Sequence, residues 1–340
     1  MKNPKFLFDT ITDSSLRFVS DEVIKKILSH EMAAQAVWDS LRAHARGDFV
    51  QPLKPYVRPK GKEGEYSGGR FIAMPAFVGA PVNAAGLKWI SGFQANIQRG
   101  LPRSSGLLIL NSLETGIPYA VMEVHTLSAR RTAAVANIAT RLLAPKSTTR
   151  VAIYGAGPIA GEVMASLRDT FVSINEFRIY DPNYDRAIHL SKSLLPEEKF
   201  VVVKDPEECA SEADVVVTAT SGARSYLEHG WIKPGALIVA LSLDDCTEEL
   251  FLKSRVVVDD WDQCNREGKI LNQLVDKGLF SKSQLAAELS DVLANNRSVR
   301  RHSKEVVLVN PMGMAIEDIA VGAVVFEHAV KGELAKVINK

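Results

Sequence analysis

Residues 151–160 read VAIYGAGPIA, and no other stretch limits the possible folds as tightly. A short, wholly apolar strand runs into Gly155, Gly157 and Ala160, spaced G-x-G-x-x-A, at the mouth of a helical pattern that begins at Pro158 and Ile159. The first glycine permits a tight turn, the second lets a pyrophosphate approach the backbone, and the small third residue lets helix and strand pack closely. Free N–H groups at the helix N-terminus then face the phosphates. Asp181 ends the next apolar run, at 177–180, where a carboxylate accepts hydrogen bonds from an adenosine ribose. A packing turn followed by an N-capping Asp is the plain alternative, but strand, turn, helix and acid in this order favour a dinucleotide site. Asp181 would repel a 2′-phosphate, and Pro182 and Asn183 follow it where an NADP site would carry Arg. The expected cofactor is NAD.

The pattern around the motif is regular. Further strands are expected at 200–203, 215–218, 236–241 and 255–258, with a helix from Tyr184, helical periods at 264–275 and 282–293, a last strand in VVLVN and a terminal helix at 315–330. Alternating β and α with continuously apolar strands implies an α/β fold, a parallel sheet covered on both faces. Ligands of such sheets lie beyond the carboxyl ends of the strands. That singles out Thr220 and Ser221 after one strand and Ser242, Leu243, Asp244 and Asp245 after the next. Asp244 and Asp245 are candidates for proton transfer beside a nicotinamide. A solvated acidic turn capping a helix at Thr247 is an equally open reading.

At 340 residues the chain has room for two domains, which asks what the first 150 residues do. Apolar positions recur at helical spacing from 21 to about 46, closed by Gly47, and predict one long amphipathic helix. Between 71 and 124, apolar bursts separated by Gly, Pro and Asn predict strands. SARRTAAVANIATRLLAP predicts a helix from near Ser128 to Pro145. Several cations stand beside turns: Arg70, Lys88 within GLKW, Arg103 and the pair Arg130-Arg131. Arginine grips carboxylates bidentately and lysine acts as a point charge. Each alone is ordinarily a solvated residue, but Arg131 near a helix start is disfavoured by the dipole and hints at an anion. Together they suggest a polycarboxylate pocket. The tail, NPMGMAIEDIAVGA, suits a helix that packs back on the first domain, with Gly313 as a turn and Glu317-Asp318 as a polar face.

Other classes find little support. A net charge of +1 without blocks of like charge gives no nucleic-acid or membrane signature, and no apolar run has the length of a membrane span. No signal peptide is evident, so the expected location is cytoplasmic. Cys209, Cys246 and Cys264 are far apart with no His at ligand spacing, and SHEMAAQ lacks the second His of a zinc helix, so no metal is expected.

GLKW, SARRTAA, GAGPIA with Asp181, the DDC at 244–246 and PMGMAIEDIA, in this order, resemble the ornithine cyclodeaminase/mu-crystallin family over roughly residues 21–330. The resemblance implies a Rossmann doubly wound sheet inserted into an α+β substrate and dimerisation domain, here 1–128, 129–307 and a returning helix in 308–340, and a homodimer. GDFVQPLKPYVRP, VVVDDWDQCNREGKILNQL and LVNPMGMAIEDI are similar to the subgroup acting on N-(2-amino-2-carboxyethyl)-L-glutamate, which supplies 2,3-diaminopropionate for siderophores and peptide antibiotics. By resemblance, Arg70, Lys88 and Arg131 hold the substrate carboxylate, and Asp245 is the catalytic acid beside Cys246. Pro158, Ile159, Asp181, Thr220, Ser242 to Asp245, Arg131, Pro311 and Met312 approach cofactor or substrate. Arg103 is assigned on the residues alone to a further carboxylate. Thr-Glu-Glu after Cys246 and Asn-Pro-Met-Gly in the tail depart from ornithine cyclodeaminase. The implied activity is NAD-dependent oxidative hydrolysis to 2-oxoglutarate and 2,3-diaminopropionate. The rival readings are ornithine cyclodeamination and a crystallin-like protein that binds cofactor without turnover.

Overall fold

The computed structural model describes residues 15–60, 68–194, 199–222, 224–242, 244–266 and 268–338. The chain forms two compact units, one from Met1–Arg131 with Ala315–Lys340 and the other from Thr132–Met314. Of the site residues expected from sequence, Leu243 lies outside the described residues.

Unit 1 opens with β1 (Leu16–Val19), α1 (Asp21–Ile27), α2 (His30–Ala45), β2 (Phe49–Val50) and β3 (Tyr56–Val57). It continues with β4 (Gly69–Val78), β5 (Ala84–Phe93), β6 (Ser104–Asn111), β7 (Pro118–Glu123) and the start of α3 (His125–Leu143). Unit 2 holds β8 (Arg150–Tyr154), α4 (Pro158–Thr170), β9 (Glu176–Tyr180), α5 (Tyr184–Lys192), β10 (Phe200–Val202), α6 (Pro206–Ala210) and β11 (Val215–Thr218). It is completed by β12 (Leu237–Ala240), α7 (Glu248–Lys253), β13 (Arg255–Val258), α8 (Trp261–Cys264), α9 (Ile270–Asp276), β14 (Ala287–Glu288), α10 (Leu289–Asn295) and β15 (Val307–Val309). The chain then returns to unit 1 with α11 (Ala315–Lys331) and β16 (Lys336–Ile338).

In unit 1 the sheet runs β16-β1-β7-β6-β5-β4-β2, with β3 also on β4. It is antiparallel except where β1 meets β7. One face is covered by α11, whose residues are buried on nearly every side, as expected of a helix apolar all round. Gly322 allows the close approach: a Cβ there would lie 2.9 Å from the Leu108 side chain on β6, which would have to shift. Side chains alternate across the sheet, so Lys88 is buried while its neighbour Trp89 is 39% exposed.

The expected helix over 21–46 is two helices. Leu28 leaves helical geometry and Ser29 caps α2 by accepting a hydrogen bond from the Met32 amide. Helical periodicity continues through this break, which is why spacing alone missed it. The other boundary correction is α3, which starts at His125 and not near Ser128. Its cap is remote: Asp21 accepts from both the amide and the hydroxyl of Thr126, at 2.7 and 2.9 Å.

In unit 2 the strand order is β10-β9-β8-β11-β12-β15-β13-β14, with every pairing parallel. The order reverses between β8 and β11, which opens a crevice at their carboxyl ends. The period expected at 264–275 is broken into α8 and α9, and that at 282–293 into a 3-10 turn, β14 and α10. No helix among the described residues is long and apolar enough to cross a membrane.

Candidate active site

At the switch point of unit 2, Gly155 has φ +102°, and a Cβ would stand 2.7 Å from the Ala219 carbonyl. Glycine is therefore demanded by the backbone itself. Gly157 differs, because a Cβ there would meet only Arg186 Nη2, at 3.9 Å. Nothing in the protein's own packing requires this second glycine, and the open space above it fits a pyrophosphate laid against the α4 N-terminus. Pro158 occupies the first turn, Ile159 is half-buried and Ala160 is buried. Asp181 accepts from the Ala156 amide at 2.8 Å and from the Asn183 amide at 2.8 Å, so the carboxylate is fixed beside the glycine turn. Arg186 Nη2 reaches the Ala156 carbonyl at 3.5 Å, a cation beside the turn that sequence reading overlooked.

Beyond β11 and β12, four side chains form one network. The Thr220 amide donates to Ser242 Oγ at 2.7 Å, and Thr220 Oγ1 lies 2.8 and 2.9 Å from the two Asp245 oxygens. Tyr226 donates its hydroxyl to Asp245 Oδ2 at 3.3 Å. Asp245 is 1% exposed, which overturns the solvated-turn reading for this residue, although Thr247 does cap α7. Burial, then the Asp245 charge, pushes the Tyr226 phenol far above its usual range, so it stays a neutral donor. Tyr226 was missed because no motif marks it. Asp244 is half-buried and accepts from the Ile270 amide at 3.3 Å, anchoring the start of α9. Pro311 and Met312 follow β15 on a turn held by Asp259, fully buried, which accepts from the Gly313 amide at 2.6 Å.

Unit 1 brings together a different set. Lys88 Nζ lies 2.6 Å from Asp318 Oδ2, while Arg131 Nε reaches Asp318 Oδ1 at 2.9 Å and Arg131 Nη1 reaches Glu317 Oε2 at 3.3 Å. The polar-face reading of Glu317-Asp318 is thus overturned: both are fully buried. Two adjacent acids inside an otherwise apolar helix were the available signal, because buried carboxylates need partners. Arg131 sits in the second turn of α3, past the strongest part of the helix dipole, and its ion pairs account for its place. Burial pulls the Lys88 ammonium down to about 7, helped by Arg131 and opposed by Asp318. Burial raises the Asp318 carboxyl, but Arg131 and Lys88 together outweigh it and keep its pKa low. Arg70 stacks over the Tyr56 ring at 5.6 Å. Arg103 is lowered by burial and then by the charge of Arg70, which sets these two guanidinium groups in each other's field.

The arrangement offers a dinucleotide cradle and a buried acid in unit 2, and an anion-seeking group of cations in unit 1. The chain is similar to known proteins over most of its length. The Staphylococcus aureus N-((2S)-2-amino-2-carboxyethyl)-L-glutamate dehydrogenase is 38% identical over 91% of this chain and 93% of its own length. An archaeal alanine dehydrogenase dimer with bound NAD is 30% identical, covers 96% of this chain and 99% of its own, and superimposes with a TM-score of 0.86. The Thermococcus litoralis Δ1-pyrroline-2-carboxylate reductase, solved with NADH and L-proline, shares the fold at a TM-score of 0.89 and 23% identity, covering 95% of this chain and 100% of its own. With the ornithine cyclodeaminase/mu-crystallin family model matching residues 16–333, the chain belongs to that family.

Proposed function

We propose that this NAD-dependent oxidoreductase oxidises the glutamate Cα–N bond of N-(2-amino-2-carboxyethyl)-L-glutamate and hydrolyses the resulting imine. The products are 2-oxoglutarate and L-2,3-diaminopropionate, a precursor for siderophores or peptide antibiotics. The observation that carries this reading is the near full-length similarity to the staphylococcal enzyme of that name. The charge pattern of unit 1 agrees with it: Arg70, Lys88, Arg103 and Arg131 exceed Glu317 and Asp318, which suits a substrate with three carboxylates better than ornithine with one.

NAD+, when bound, supplies the hydride acceptor. Gly155, Gly157, Pro158, Ile159 and Ala160 hold its phosphates, Asp181 its adenosine ribose, and Thr220, Ser242, Asp244 and Pro311 line the rim toward the nicotinamide. Lys88 and Arg131 bind the carboxylate on the reacting carbon, which draws it close and orients it. Asp318 keeps those two cations in place. Arg70 and Arg103 take a further carboxylate, and Met312 packs on the carbon chain. Asp245, held by Thr220 and Tyr226, accepts the proton of the substrate amine, then carries protons as water adds and the carbinolamine collapses. A second copy covers the exposed apolar strip around Trp89 and Leu107, neighbours across β5 and β6, giving a homodimer.

Purified protein incubated with NAD+ and either N-(2-amino-2-carboxyethyl)-L-glutamate or L-ornithine tests the reading. NADH, 2-oxoglutarate and 2,3-diaminopropionate from the first alone support it. Proline and ammonia from ornithine, or turnover of neither, would overturn it.

A further inference from the structure

Arg186 stands at the glycine turn of unit 2, and the roles given above leave it unused. It lies in the first turn of α5, behind the Asn183 cap, whose side chain accepts from the Arg186 amide at 3.1 Å. The positive end of the helix dipole suits its neighbour Asp185 and disfavours an arginine. The helix itself therefore gives no reason for this residue. An ion pair gives none either. Among the described residues the guanidinium makes one hydrogen bond, from Nη2 to the Ala156 carbonyl at 3.5 Å, the outer limit for such a bond. Asp181, five residues back, is taken up by the Ala156 and Asn183 amides, one on each oxygen. The weak bond to Ala156 sets the guanidinium beside the second glycine. Gly157 leaves a space bordered by Arg186 Nη2, 3.9 Å from where a Cβ would stand.

A pyrophosphate laid in that space is doubly negative, and a guanidinium presents a planar fork of donors to its oxygens. We propose that Arg186 is a cofactor-binding residue, whose guanidinium leaves the Ala156 carbonyl and pairs with the NAD pyrophosphate. It thereby adds a side-chain charge to the backbone amides at the α4 N-terminus. A 2′-phosphate is the other anion that such a cation could meet, but Asp181, fixed beside the turn, would repel it. The role rests on the dinucleotide cradle of unit 2 and is independent of the substrate proposed above.

The test measures binding without substrate. Arg186→Met removes the charge at an exposed position and keeps an unbranched side chain, whereas Arg186→Lys keeps the charge without the fork. Calorimetry gives the affinities for NADH, NADPH and ADP, and competition against NADH gives that for adenosine. Arg186→Met is expected to bind NADH and ADP about three- to tenfold more weakly than wild type, the range of an exposed charge-assisted pair. Adenosine, which has no phosphate, should bind both equally, and Arg186→Lys should recover part of the loss. Added salt should weaken NADH binding more in wild type than in Arg186→Met, because it screens the pair that the variant lacks. The cofactor-free variant should melt no lower than wild type, since a cation leaves the positive end of α5, so weaker binding would not reflect a damaged fold. Equal NADH affinity in wild type and Arg186→Met would overturn the role. A loss that extends to adenosine would overturn it too, as would one confined to NADPH. Failure of wild type to bind NADH would overturn this role and the cradle together.

Discussion

Lys88 shows how one residue's surroundings set its use. Burial has brought its ammonium to about 7, so near neutral pH it is charged in only part of the molecules. In the proposed binding mode a substrate carboxylate pairs with Lys88 and stabilises its charged form, so binding above that pH must take up a proton. The sign follows: affinity should be flat below about pH 7 and weaken as pH rises through it, by about tenfold per unit at most. Calorimetry in buffers of different ionisation enthalpy should find proton uptake at pH 8, and Lys88→Met should abolish the uptake along with most of the affinity. Asp245→Asn should leave NADH binding intact and lower kcat by a factor of about 10²–10⁴, the usual worth of a general base. Tyr226→Phe should cost less, lowering kcat by about tenfold, because it removes one of the hydrogen bonds that orient the carboxylate. A kcat of Tyr226→Phe equal to wild type would show that the hydroxyl does nothing for Asp245.

At the scale of elements, α3 and α11 share the buried ion pairs of Arg131 with Glu317 and Asp318, and both helices depend on bonds from far along the chain. Asp21 caps α3 from more than a hundred residues away, with Lys25 at 3.4 Å. Burial raises the Asp21 carboxyl, yet the Thr126 bonds and Lys25 leave it below its ordinary value. The cap's contribution is therefore complete above the unfolded carboxyl pKa and lost as pH falls through the depressed folded one. Asp21→Ala should destabilise the protein by about 1–2 kcal/mol at neutral pH and speed hydrogen exchange in the first turn of α3. Unchanged exchange there would mean that the helix start is held by packing alone. Such remote caps explain what the sequence concealed. The glycine turn and the apolar strands of unit 2 are local signals and could be read directly. The start of α3, the break at Leu28-Ser29 and the burial of Asp318 depend on partners that only folding brings near.

The whole molecule is a chain that leaves unit 1 along α3, builds unit 2 and returns through α11. Segments recognisable by resemblance span nearly all of it, so the order of the parts was legible, while strand order in unit 1 was not. β16, β1 and β2 are two to four residues long, too short for an alternating pattern to show. The apolar strip with Trp89 39% and Leu107 42% exposed predicts that the protein is a dimer in solution. Trp89→Lys with Leu107→Glu should give monomers by light scattering, and a dimer that survives both changes would put the interface elsewhere. The central claim is that the glutamate Cα–N bond is the one oxidised. It is tested most directly with substrate carrying deuterium at that carbon and unlabelled NAD+. The account predicts deuterated NADH in equal amount to 2-oxoglutarate and 2,3-diaminopropionate; unlabelled NADH, or products formed with the deuterium still in place, would contradict it.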